Sequence, residues 1–172
     1  EQTNAEMHIS ALKITDWKTF HAETAAENAG AGFSRIDPDA VAEILFSTGT
    51  TGKSKGAMLT NAANAANAQN VIAGVQMEED AVELMPLPLN HAHGLRTAYA
   101  HLYNGSTVLI ANGITLPRVV LNMMEQYGAN ALDLTPSAAE MLLKTCGEKL
   151  HAMADRIRYV EIGAAFLPET TK

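Results

Sequence analysis

The stretch Ala42-Glu43-Ile44-Leu45-Phe46 runs into Ser47-Thr48-Gly49-Thr50-Thr51-Gly52-Lys53-Ser54-Lys55-Gly56 and leaves through Ala57-Met58-Leu59. Two short apolar runs, each reading as a strand, flank a loop that holds three glycines and two lysines in ten residues. Glycine leaves backbone N–H groups open to an approaching anion, hydroxyls add donors, and lysine adds a point charge. Those residue types suit a pyrophosphate or a triphosphate. The P-loop spacing G-x-x-x-x-G-K-[ST] fails here: Ser47 stands where its first glycine belongs, and a strand rather than a helix follows.

Downstream, short apolar runs alternate with helical stretches. Asn61 to about Val75 reads as a helix whose Asn61, Asn64, Asn67 and Asn70 form a solvated stripe. Val82 to Pro88 reads as a strand, and Leu95 to Tyr103 as a helix with Leu95, Tyr99, Leu102 and Tyr103 on one face. Thr107–Ile110, Ala131–Leu134 and Arg158–Ile162 read as further strands. Pro117 and Gly128 bracket a helix carrying Val120, Met123, Met124 and Tyr127, and Thr135-Pro136 opens another. The fold class is therefore α/β, with alternating βα units forming a mostly parallel sheet with flanking helices. In such sheets ligands bind at the carboxyl ends of the strands, where Ser47–Gly56, Asn90–Gly94 and Gly163–Pro168 are expected. Residues 1–40 read as a lead-in segment with one helix, capped by Thr15 or Asp16 and stopped by Gly30-Ala31-Gly32; residues 41–172 carry the α/β pattern.

Composition narrows the function classes. A chain of 172 residues with 47% hydrophobic and 18% charged residues is globular. Its net charge of −7, with 12 scattered Lys and Arg, argues against nucleic acid as a partner. No apolar run reaches the roughly 18 residues of a membrane span, and no secretory h-region follows Glu1. The single Cys146 excludes an intrachain disulfide framework, fits a reducing, cytoplasmic setting, and reads as a buried structural thiol.

With those residues in view, Phe46–Gly56 resembles the phosphate loop [YF]-T-S-G-T-T-G-x-P-K-G of the adenylate-forming (AMP-dependent acyl-CoA synthetase/ligase) superfamily. Ser47 and Thr48 are swapped relative to that form, and Ser54 replaces a common proline. Leu87-Pro88-Leu89-Asn90-His91-Ala92-His93-Gly94-Leu95 resembles the family's P-L-x-H-x-x-G-L motif, in the double-histidine form of malonyl-CoA-synthetase-like members. Gly163-Ala164-Ala165-Phe166-Leu167 resembles the G-[AG]-A-P-L stretch, with Phe166 where proline is usual. The resemblance covers about residues 37–172, with the motifs in family order, and makes 41–172 a partial nucleotide-binding subdomain, a slice of a large N-terminal domain.

The resemblance implies an acid–CoA ligase that forms acyl-AMP and pyrophosphate from ATP and a small carboxylic acid, then passes the acyl group to CoA. ATP, Mg²⁺ and CoA are the implied cofactors. Ser47, Thr48, Gly49, Thr50, Thr51, Gly52 and Lys55 would hold the phosphates, and Gly163, Ala164 and Ala165 would pack on adenine. His91 would be the catalytic residue, with His91, His93 and Arg96 at the acyl substrate. Arg96 is read either as a solvated helix arginine or as the partner of a distal carboxylate. His91 and His93 lack a nearby cysteine or carboxylate cluster in sequence, so no metal site is assigned. The family's Mg²⁺-holding glutamate, ribose-binding aspartate and catalytic lysine belong to segments beyond Pro168. The chain alone is therefore expected to be inactive; the alternative is a stand-alone nucleotide-binding or regulatory module.

Overall fold

The computed structural model describes residues 36–47, 54–111 and 113–169. The helix expected between Trp17 and Ala29 lies outside them. Asp37–Lys172 forms one compact unit, and Glu1–Ile36 is divided from it.

Strands β1 (Val41–Ser47) and β2 (Lys55–Thr60) pair antiparallel, with Ser47 opposite Lys55 and Phe46 opposite Gly56. A Cβ on Gly56 would come within 2.8 Å of Ile44 Cγ2 and 3.2 Å of the Phe46 ring, so only glycine lets both side chains lie over the partner strand. This hairpin is a sheet of its own. The phosphate-loop segment therefore joins two antiparallel strands of a separate sheet, and is not the link between a strand of the parallel sheet and its following helix. The reason is chain length: parallel pairing needs a crossover of about a dozen residues or more, whereas a short link returns antiparallel.

Helix α1 (Asn61–Val75) starts where the Thr60 hydroxyl accepts the Ala63 N–H at 3.2 Å, and ends at Gln76 in the left-handed region. Strand β3 (Val82–Met85) stops short of Pro86, which has no N–H to give a ladder. Helix α2 (Ala92–Asn104) begins three residues before Leu95, with His91 as its cap residue. Then follow β4 (Thr107–Ile110), α3 (Pro117–Tyr127), β5 (Ala131–Leu134), α4 (Pro136–His151) and β6 (Tyr159–Ile162). Strands β3 to β6 form a parallel sheet in the order β4-β3-β5-β6, as the alternating pattern anticipated.

Side chains alternate between the two faces of this sheet. On one face Leu84, Leu132 and Leu134 pack with Val120, Leu121 and Met124 of α3 and Ala138, Ala139 and Leu142 of α4. Cys146 is buried in the same core, as expected of a structural thiol, at a non-helical residue inside α4. The opposite face, beneath α2, has Met85 and Leu87 against Ala98, but it also carries Glu83, Asp133, Tyr159 and Glu161.

That face changes the reading of α2. Leu102 and Tyr103, placed on an apolar face with Leu95 and Tyr99, are exposed; Gly94, Thr97, Ala98, Ala100 and His101 are buried instead. A helix normally turns its apolar stripe inward. Here two buried acids on the strands, Glu83 and Asp133, need hydrogen-bond partners, and the polar side of α2 supplies them.

The Tyr159 hydroxyl donates to Glu83 Oε2 at 2.7 Å. Burial first, and the Glu83 charge second, push its pKa above the ordinary tyrosine value. The folded chain thus holds this proton to higher pH than the unfolded chain, which releases it near about pH 10. The stabilisation is complete below about pH 10 and is lost as pH rises above it. Urea unfolding of Tyr159→Phe at about pH 8, 10 and 11 should show a shallower alkaline decline than the parent. Parallel declines would remove this role.

Candidate functional site

At the carboxyl end of the sheet, Asp133 on β5 lies directly opposite Glu161 on β6. Like charges in that relation repel. Helix α2 answers them with side chains one turn apart. His93 Nε2 lies 2.8 Å from Asp133 Oδ1 and 3.8 Å from Glu161 Oε1. Arg96 pairs with Glu161 Oε1 through its guanidinium. The Thr97 hydroxyl donates to Asp133 Oδ2 at 2.7 Å. Asp133 is fully buried; His93 and Glu161 keep 12% and 18% of their side-chain surface exposed, so the cluster opens outward. His93 and Asp133 have the distance of a hydrogen bond but not its direction: neither His93 Nε2 nor Asp133 Oδ1 forms one.

The second and third sequence segments meet here. A Cβ on Gly163 would fall 2.7 Å from His93 Cε1, so the glycine is the surface on which the imidazole rests. A Cβ on Gly94 would fall 2.7 Å from the Pro88 carbonyl oxygen, which makes that glycine the condition for folding Leu87-Pro88 back against the start of α2. Ala164 has a positive φ of 70°. Ala165 and Phe166 are exposed, Phe166 to 83%.

His91 is exposed and caps α2 through its backbone, its carbonyl accepting the Leu95 N–H at 3.0 Å. Ser47 and Lys55 lie opposite each other across the hairpin, and the Ser54 hydroxyl donates to the Ser47 carbonyl at 2.6 Å. Lys55 is exposed, and among the described residues no carboxylate pairs with it. Thr48, Gly49, Thr50, Thr51 and Gly52 lie outside the described residues.

The hairpin is tied to α2 by Tyr99, whose hydroxyl donates to Glu43 Oε2 at 3.0 Å. Burial, then the acceptor Glu43, raises its pKa. Between hairpin, α1 and α2 runs a groove of about 200 Å³, reached by Asn64, Asn67 and Arg96. The asparagine stripe read as solvated thus lines a groove at Asn64 and Asn67. A larger hollow of about 640 Å³ lies between α3 and α4, on the other face of the sheet and away from all three motifs.

The sequence profile described as "AMP-binding enzyme" matches residues 2–172. The chain belongs to the AMP-binding enzyme family. Among curated AMP-binding relatives, it is 28% identical over 166 residues to 4-coumarate-CoA ligase 1 of Narcissus pseudonarcissus, covering 92% of this chain and 28% of that protein. Among solved structures, ATP-bound MatB from Rhodopseudomonas palustris superposes with a TM-score of 0.74 at 29% identity, over 87% of this chain and 29% of that one. The N-terminal domain of FACL13 from Mycobacterium tuberculosis superposes with a TM-score of 0.78 at 19% identity, over 90% of this chain and 38% of that one, which shows the shared fold. The chain thus spans well under half the length of each.

Sequence reasoning missed Asp133, Glu161 and Thr97, and with them the acids that surround His93. The conclusion that no carboxylate cluster stands near the histidines held only along the chain; the parallel sheet brings in two acids from distant strands. A signal was present: one charged residue sits inside each of the short strands Val82–Met85, Ala131–Leu134 and Tyr159–Ile162. The polar residues His93, Arg96, Thr97 and His101 recur on one side of the facing helix.

Proposed function

We propose that this chain is part of an AMP-forming acid–CoA ligase. Membership of the AMP-binding family carries the reading, together with the hydroxyl-, glycine- and lysine-rich segment between β1 and β2. In that reading ATP enters as its Mg²⁺ complex. Ser47 to Gly52 and Lys55 neutralise its phosphates while a carboxylate attacks the α-phosphate. Acyl-AMP forms, pyrophosphate leaves, and the CoA thiol then displaces AMP. The chemistry depends on positioning and charge neutralisation, and needs no covalent bond to the protein.

His91 would orient the acid, and Gly163, Ala164 and Ala165 would meet adenine. His93 and Arg96 would face the acyl group. Arg96 already pairs with Glu161, so a distal carboxylate would have to compete for the guanidinium. No helix among the described residues is long and apolar enough to cross a membrane.

The test is ATP–pyrophosphate exchange by the intact protein across a panel of small carboxylic acids, followed by mass analysis for the acyl-CoA. Exchange that requires one class of acid, with thioester formed on CoA, is the expected result. Absence of exchange with every acid would overturn the reading. Exchange without transfer to CoA would replace the acceptor with a carrier-protein thiol.

A further inference from the structure

We propose that His93 Nε2, Asp133 Oδ1 and Glu161 Oε1 form a binding site for a divalent transition-metal cation of the Zn²⁺ class. The three atoms lie within 4.8 Å of one another, with separations of 2.8 Å from His93 to Asp133 and 3.8 Å from His93 to Glu161. Nitrogen and oxygen ligands placed about 2.1 Å from a tetrahedral zinc stand about 3.4 Å apart, so these separations bracket what one ion requires. One imidazole with two carboxylates is a donor set that suits zinc and its neighbours in the first transition row.

Geometry around the cluster points the same way. Asp133 is fully buried, and its Oδ1 has no hydrogen bond although His93 Nε2 is close by; His93 Nε2 has none either. Two buried polar atoms 2.8 Å apart without a hydrogen bond between them leave a shared position that a cation would satisfy. The other oxygen of Asp133 is held by the Thr97 hydroxyl at 2.7 Å, the kind of outer contact that orients a ligating carboxylate. Gly163 gives the imidazole its seat.

Charge agrees: Arg96 offsets one of the two facing carboxylates through Glu161, and a divalent ion would offset the other. Three protein ligands leave a coordination position for water or for an oxygen of a bound ligand. The site rests on the cluster's own geometry and does not depend on the ligase reading.

The test is titration of the intact, chelator-treated protein with Co²⁺, without ATP or acid, followed by visible absorption and reversed by Zn²⁺. Saturation at one equivalent, with the bands of a low-symmetry site, is expected. Asp133→Asn and His93→Gln should abolish it. Thr97→Val, which keeps all three ligands and their charges, should weaken it about 10- to 100-fold. Lack of saturable uptake by the parent would overturn the site, as would uptake unaltered in Thr97→Val and His93→Gln. If Asp133→Asn fails to fold by circular dichroism, those two variants decide. Uptake without pyrophosphate exchange leaves the metal site standing, and exchange without uptake leaves the ligase standing.

Discussion

His101→Leu should destabilise the protein by about 3–5 kcal/mol, among the larger losses a single substitution causes. His101 is fully buried on α2, with Nε2 2.7 Å from Glu83 Oε2 and Nδ1 2.8 Å from the Ser106 hydroxyl. Glu83 is 1% exposed; its Oε2 also accepts from Tyr159, and its Oε1 forms no hydrogen bond. Leucine at 101 leaves this acid in the interior with the tyrosine hydroxyl alone. The cost is that of an uncompensated buried charge, and exceeds that of a neutral hydrogen bond, which is about 1 kcal/mol.

A double variant, Glu83→Leu with His101→Leu, should recover most of the loss, because the pair's attraction and the cost of burying it largely cancel. Urea unfolding of both variants measures the difference directly. At roughly 2–4 °C per kcal/mol the single variant should also melt about 6–20 °C lower. Additive losses in the double variant would show that His101 and Glu83 do not act as a pair.

Lys55→Ala should lower acid-dependent ATP–pyrophosphate exchange by about 10²- to 10³-fold, the size seen when one stabilising donor to developing charge is removed. It should leave stability within about 0.5 kcal/mol, since the residue is exposed at the start of β2. The residue stands across the ladder from Ser47, at the loop end of the hairpin where the glycine- and hydroxyl-rich segment begins and ends. A lysine there can meet terminal phosphates without disturbing a core. Lys55→Arg should restore only part of the rate, because a planar guanidinium does not reproduce a compact ammonium. Unchanged exchange in Lys55→Ala would remove Lys55 from the phosphate site.

The two substitutions contrast the halves of the molecule. The hairpin holds its chemistry in consecutive residues, so its meaning is legible along the chain. The face beneath α2 assembles its chemistry from three strands and a helix, so it is not. His93 illustrates the boundary: its place in the Leu87–Leu95 motif was readable, but its neighbours Asp133 and Glu161 are 40 and 68 positions away. Leu102 and Tyr103 show the same limit, since helical periodicity placed them with Leu95 and Tyr99 while the sheet's buried acids turned other residues inward.

By itself the sequence determined the α/β alternation, most strand and helix positions, and the family. Each of these rests on local propensity, capping residues and motifs whose parts are adjacent. Only the tertiary structure decided that the phosphate-loop segment belongs to a separate antiparallel hairpin, which face of α2 is buried, and which acids surround His93. Those outcomes follow from strand pairing and from the need of buried charge for partners, both of which join residues far apart in the chain.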